Sequence, residues 1–234
     1  GSLVGIHGGY LTALAVRTAE SRRADHRVRT VCTSFLRPVS IGPTVVSVTT
    51  RRSGRSLATF EVSFEQNDRL AAITRLTTAT APDGVHWDHS DPLDVPAPEQ
   101  CITVPGPPGI RHLDHGIGIL DPTDLPLARG PRAVLRGHLR PAEPRPIDAA
   151  WLVVALDFLP PAAWSKVDPP TGAVSVDYTV HIHRTWDHIV DEGQWLAVSL
   201  RSDVSVDGLA LEHGSIAAPD GTLLAESFHT RWTG

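Results

Sequence analysis

Ile147-Asp148-Ala149-Ala150-Trp151-Leu152-Val153-Val154-Ala155-Leu156-Asp157-Phe158 is apolar almost all round, and Pro160-Pro161 stops it. A stretch with no water-facing side reads as a helix, Ile147 to Phe158, wrapped by a sheet. Downstream, Ser175-Val176-Asp177-Tyr178-Thr179-Val180-His181-Ile182-His183 alternates strictly. Val176, Tyr178, Val180 and Ile182 share one face of this predicted strand, and Ser175, Asp177, Thr179, His181 and His183 the other. Trp195 to Ser205, Leu209 to Ala217 and Leu223 to Trp232 complete the set.

The first half repeats this plan. Between Leu3 and Glu20, Leu11, Leu14, Ala15 and Thr18 recur at helical spacing behind Gly8-Gly9. Four stretches rich in Val, Thr, Phe and Ile follow: Val28 to Leu36, Thr44 to Arg51, Leu57 to Gln66 and Leu70 to Thr80. Arg37-Pro38, Ser53-Gly54 and Asn67-Asp68 punctuate them, so the expected order is a helix and then an antiparallel meander. Phe35-Leu36-Arg37-Pro38 against Ile182-His183-Arg184-Thr185, and Asn67-Asp68-Arg69-Leu70-Ala71 against the run Pro219 to Ala225, point to an internal duplication. Of 20 prolines, 13 fall between Pro82 and Pro146, and Pro82 to Gly109 has no sustained period. That composition reads as a linker, with short strands expected at Gly116 to Leu120 and Ala133 to Leu139 and a second unit beginning near Arg111. The expected division is 1–81, a linker over 82–110, and 111–234.

Composition sets the outer limits. With 234 residues, 41% apolar and 20% charged, the chain is long enough for one large or two small globular units. A formal net charge of −5 gives no field to gather nucleic acid or an anionic membrane, which favours a small or amphipathic ligand. Cys32 and Cys101 form no Cys-x-x-Cys pair and no Cys/His quartet, so both read as reduced thiols. No apolar run reaches membrane-span length and the N-terminus lacks the charged-then-apolar order of a secretory signal, which makes the cytoplasm the expected location. The chain has no methionine and opens Gly1-Ser2, so an incomplete N-terminus is expected.

Three motifs in order carry a resemblance: His7-Gly8-Gly9-Tyr10-Leu11-Thr12-Ala13-Leu14, Thr33-Ser34-Phe35-Leu36-Arg37-Pro38, and Ser175 to Arg184. Over nearly its whole length the chain resembles the type II acyl-CoA thioesterases and the wider thioesterase-like group common in actinobacteria. The resemblance implies an α+β double hotdog, two tandem units each with a long helix wrapped by an antiparallel sheet, paired about a pseudo-twofold axis. It implies an acyl-CoA substrate, a groove between the helices for the acyl chain, and dimers or tetramers of the double unit. The family holds a nucleophilic water with an Asp, a Thr or Ser, and a Gln. Those positions fall on Asp157, Ser175 and His229, the histidine being a departure. The working site is implied to lie mainly in the second half, with Gly8 and Gly9 either polarising the acyl carbonyl or left over from a once symmetric site.

Bland readings stand beside these. Asp157 in the last turn of its helix could reach solvent, but a carboxylate after six apolar residues needs partners or a raised pKa. Ser175 could be a surface hydroxyl, and His229 shares a strand face with Ser227 and Arg231, which suggests exposure. No Gly-x-Ser-x-Gly elbow occurs, so attack by water is preferred over a serine nucleophile. His181-Ile182-His183 and His112-Leu113-Asp114-His115 lack a defined third ligand, and His86-Trp87-Asp88-His89 reads as solvated; no metal and no cofactor are expected. The rival from another class is a non-catalytic acyl-CoA or lipid-binding module. A hotdog enoyl-CoA hydratase would need an Asp and a His close together ahead of a helix, and neither helix has that pair.

Overall fold

The computed structural model describes residues 5–80, 85, 87–103, 113–118, 130–166, 172–190 and 194–234. His86, Arg111, His112, residues 82–84 and 104–110 of the expected linker, and 119–120 of the expected strand Gly116 to Leu120 lie outside the described residues. Helix α1 (Gly8–Glu20) turns Leu11, Thr12, Ala15, Val16 and Ala19 inward. Four strands follow it: β1 (Arg27–Phe35), β2 (Val45–Ser53), β3 (Leu57–Gln66) and β4 (Arg69–Ala79). Asn67 and Asp68 both take positive φ, at 53° and 55°, which is the two-residue turn whose twist matches that of a hairpin. The order differs from a simple meander: β2, β3 and β4 are sequential neighbours, but β1 pairs with β4. The stretch after β1 turns back, with Leu36 and Arg37 N–H groups both donating to Ala71 C=O, and this carries the chain across to the far edge.

The second half contributes β7 (Ala133–Pro141), β8 (Arg145–Ile147), α2 (Ala149–Ala155), β9 (Val174–Ile182), β10 (Trp186–Val190), β11 (Leu196–Val206), β12 (Leu209–Ala217) and β13 (Leu223–Trp232). Two strands precede these. β5 (Cys101–Thr103) lies inside the stretch read as a linker and pairs with β6 (Leu113–Gly118) at one edge. One eleven-stranded sheet results, in the order β2-β3-β4-β1-β9-β13-β12-β11-β7-β6-β5, with β8 and β10 forming a separate pair. From the centre outward, β1-β4-β3-β2 on one side mirrors β9-β13-β12-β11 on the other. The halves join where β1 and β9 run antiparallel, Val31 opposite Val180 and Cys32 opposite Thr179.

α2 is shorter than the expected twelve-residue helix. Asp148 caps it by accepting Trp151 N–H at 2.9 Å, which fixes its start at Ala149. At its other end Asp157 and Phe158 N–H groups donate to Val154 and Ala155 C=O, three residues back, so the last turn tightens ahead of the prolines. Seven residues remain in the helix, against thirteen in α1. The tightened turn aims Asp157 at the N-terminus of α1. A buried hydroxyl relay ties α1 to its sheet: Thr12 Oγ1 donates to Thr33 Oγ1 at 3.0 Å, and Thr33 and Thr74 hydroxyls lie 2.9 Å apart.

Candidate active site

Asp157 is 5% exposed, just past the C-terminal end of α2, so the last turn does not carry it to solvent. A buried carboxylate costs several kcal/mol unless it is paired and hydrogen-bonded. Both oxygens are met. Oδ2 accepts the Gly9 N–H at 2.7 Å and faces His7 Nδ1 at 3.4 Å. Oδ1 accepts Arg231 Nη2 at 3.1 Å and faces His229 Nδ1 at 3.4 Å. Burial pushes the Asp157 pKa up, but His7, His229, Arg231 and the Gly9 N–H outweigh it and bring the group down to about 2. The side chain is therefore a carboxylate at neutral pH.

Gly9 is required by this approach, and Gly8 leaves little room beside it. A Cβ on Gly9 would stand 2.9 Å from Asp157 Cβ and 3.1 Å from Val153 O, and one on Gly8 would stand 3.0 Å from the Phe35 ring. The first turn of α1 touches Asp157 directly, so residues of both halves meet at this carboxylate. The opposite end of the helix pair is closed differently. There Asp148 caps its own helix, and its Oδ2 accepts Arg17 at 2.7 Å and Arg145 at 3.2 Å.

His229 is 1% exposed, so the exposure suggested by its strand face is wrong. Ser227, His229 and Arg231 do share a face of β13, but that face is turned inward, and Phe228 and Trp232 are the side chains left outside. The imidazole ring lies 4.7 Å from the Tyr178 ring, whose hydroxyl donates to Val153 O at 2.8 Å. Burial first, then the Arg231 guanidinium, lower the His229 pKa to about 3 despite the attraction of Asp157, so the ring is neutral. Neither ring nitrogen has a hydrogen-bond partner among the described residues. An unpartnered buried polar nitrogen costs about 1–3 kcal/mol, a penalty that natural sites carry where something is to be bound.

Ser175 is the second residue of β9 and is half-buried. The register of β9 against β13 slips at this point, so that Thr230 faces Asp177 but Arg231 faces Ser175. Ser175 makes no hydrogen bond or ion pair with Asp157 or His229, so of the three expected residues the acid and the imidazole are in contact and the serine sits across from Arg231. Sequence reasoning missed His7, Glu212 and any role for Arg231. Glu212 Oε1 accepts Arg231 Nη2 at 2.7 Å and Nε at 2.9 Å, while its Oε2 accepts the Ala162 N–H at 2.6 Å. Two hollows of about 260 and 270 Å³ lie elsewhere, one bordered by Lys166 and Asp203, the other by Glu20 and Asp148. On the outer face of the sheet, His183 and His213 each approach Glu226 at 3.1 Å.

The acyl-CoA thioesterase N-terminal domain family matches residues 2–81, and the acyl-CoA thioesterase C-terminal domain family matches residues 88–232. No curated protein matches the chain. A hot dog fold protein of unknown function from Alicyclobacillus acidocaldarius is 19% identical with a TM-score of 0.84, covering 98% of this chain and 88% of that one. The tesB protein of Mycobacterium avium subspecies paratuberculosis is 21% identical with a TM-score of 0.79, covering 99% and 89%. The acyl-CoA thioesterase II TesB2 of Mycobacterium marinum is 22% identical with a TM-score of 0.75, covering 97% and 88%. These likenesses show the hotdog fold, and the family matches extend over nearly all of the sequence. The chain belongs to the acyl-CoA thioesterase family and is a thioester hydrolase.

Proposed function

We propose that the protein hydrolyses the thioester of a fatty acyl-CoA by attack of water assisted by Asp157. The observation that carries this reading is the contact, at the N-terminus of α1, of an ionised buried carboxylate with a neutral buried imidazole whose nitrogens find no hydrogen-bond partner among the described residues. In this reading Asp157 orients water and takes up its proton, and Ser175 and His229 fix that water. The water oxygen adds to the thioester carbon, the carbonyl oxygen takes the negative charge, and collapse expels the CoA thiolate. The Gly9 N–H is already given to Asp157, which leaves the N–H of Gly8 in the same turn to meet the developing oxyanion.

Two tandem hotdog units, 1–81 and 111–234 joined by 82–110, account for the mirrored strand order. Assembly into dimers or tetramers and a cytoplasmic location belong to the same reading. No helix among the described residues is long and apolar enough to cross a membrane. The test is release of free thiol from short to long acyl-CoAs by the wild type and Asp157→Asn. General-base assistance is worth about 10²–10⁴ in rate, so the variant should lose at least about tenfold in turnover while staying folded. Undiminished turnover would remove Asp157 from the mechanism, and no release from any acyl-CoA would refute the substrate class.

A further inference from the structure

Arg231 has no part in the set of residues proposed to hold water, yet it is the most heavily engaged side chain at the site. It is 3% exposed on the inner face of β13, between two carboxylates. Nη2 donates to Asp157 Oδ1 at 3.1 Å and to Glu212 Oε1 at 2.7 Å, and Nε donates to the same Glu212 oxygen at 2.9 Å. Glu212 on β12 is fixed in turn by the Ala162 N–H at 2.6 Å. The contacts thus run from Ala162 through Glu212 and Arg231 to Asp157, and both ends lie on the segment that follows α2. A closed strut of this kind sets where Asp157 points. A guanidinium used only to neutralise a buried acid would need one carboxylate, and Glu212 already supplies it.

We infer that Arg231, anchored by Glu212, is a positioning residue for the reaction: it fixes Asp157 Oδ1 and holds the acid in its charged form, leaving the remaining lone pairs to water. The inference rests on the reading of Asp157 given above. The other groups facing Asp157 are His7 ahead of α1, the Gly9 N–H in α1, Tyr178 on β9, Glu212 on β12 behind the guanidinium, and His229 on β13. Arg231 is the permanent cation among them. Without its charge, the Glu212 carboxylate stands near Asp157 with no cation between them, and Asp157 loses one of the charges that favour its ionised form. The depressed pKa of Asp157 fits this arrangement.

The experiment is the pH profile of kcat/KM for acyl-CoA hydrolysis by the full chain, with kcat and KM resolved separately. In Arg231→Gln the acid limb should move up by about one pH unit or more relative to wild type, with kcat reduced and KM unchanged. In Arg231→Lys the charge persists, so the limb should stay in place, while kcat falls because one ammonium cannot reproduce the fork across both carboxylates. This difference reads the charge at position 231. A Gln variant with the wild-type profile and kcat would overturn the inference. If Arg231→Gln does not fold, Arg231→Lys decides: lowered kcat at constant KM supports the role, and wild-type kinetics refute it. Activity surviving in Asp157→Asn would sink the mechanism as a whole, whereas an inactive Asp157→Asn beside wild-type-like Arg231 variants would sink this inference alone.

Discussion

Acidification should destabilise the native protein through His229, by an amount that one substitution isolates. The native imidazole is neutral down to about pH 3 because it is buried and faces the Arg231 guanidinium. In the unfolded chain a histidine protonates near about pH 6.5. Between these values the unfolded state binds a proton that the native state refuses. Stability is therefore complete above pH 6.5 and is lost progressively as the pH falls towards 3. At pH 4 the two states differ over about 2.5 pH units, and at about 1.4 kcal/mol per unit the loss attributable to His229 is about 3 kcal/mol. Asp157 works in a separate window: its pKa is lowered from 3.8 to about 2, so its stabilisation is present above 3.8 and is lost only as the pH drops through 2.

The His229→Gln variant lacks this titration. Urea denaturation of both proteins, followed by tryptophan fluorescence at pH 7, 5.5 and 4, should show the variant losing about 3 kcal/mol less than the wild type over that range. All other groups are common to both proteins and cancel in the difference. If the two lose stability in parallel to within about 1 kcal/mol, native His229 is protonated at pH 4. The site would then accept an imidazolium against the Asp157 carboxylate at acid pH, and the argument that burial and the Arg231 guanidinium keep the ring unprotonated would be wrong.

Two further outcomes follow from the packing around the same acid. Gly9→Ala would drive a methyl group to 2.9 Å from Asp157 Cβ, so both turnover and thermal stability should fall, the latter by about 1–3 kcal/mol in a calorimetric or dichroism melt. Tyr178→Phe removes the hydroxyl that donates to Val153 O at 2.8 Å, and should cost about 1–3 kcal/mol in denaturant unfolding because a buried carbonyl is left without its donor.

The strands were largely legible. Leu57 to Gln66, Leu209 to Ala217 and Leu223 to Trp232 fall where alternation and turn residues place them, because period-two patterning and two-residue turns are local properties. The pairing of β1 with β4 was not legible, since it depends on a backbone crossover after Phe35 that no side-chain period encodes. Nor was the shortening of α2: an apolar run marks burial, while the end of a helix is decided by caps and by which carbonyl each N–H finds.

The candidate site shows why polar residues are the harder part to read. Asp157 could be singled out because a carboxylate at the end of an apolar helix conflicts with its surroundings. On β13 the pattern misleads. Phe228 and Trp232 occupy one face and Ser227, His229 and Arg231 the other, so the hydrophobic rule sends the first pair inward. The structure does the reverse, with Phe228 42% and Trp232 46% exposed while His229 and Arg231 are buried. The inversion is tolerable only because Glu212 and Asp157 neutralise the guanidinium and supply its acceptors, and neither contact is visible until β12 and α2 are brought beside the strand. Local and global preferences part company where a fold has been bent to hold charge in its interior. The strand that breaks the pattern therefore marks the site more sharply than any of the short motifs that suggested it.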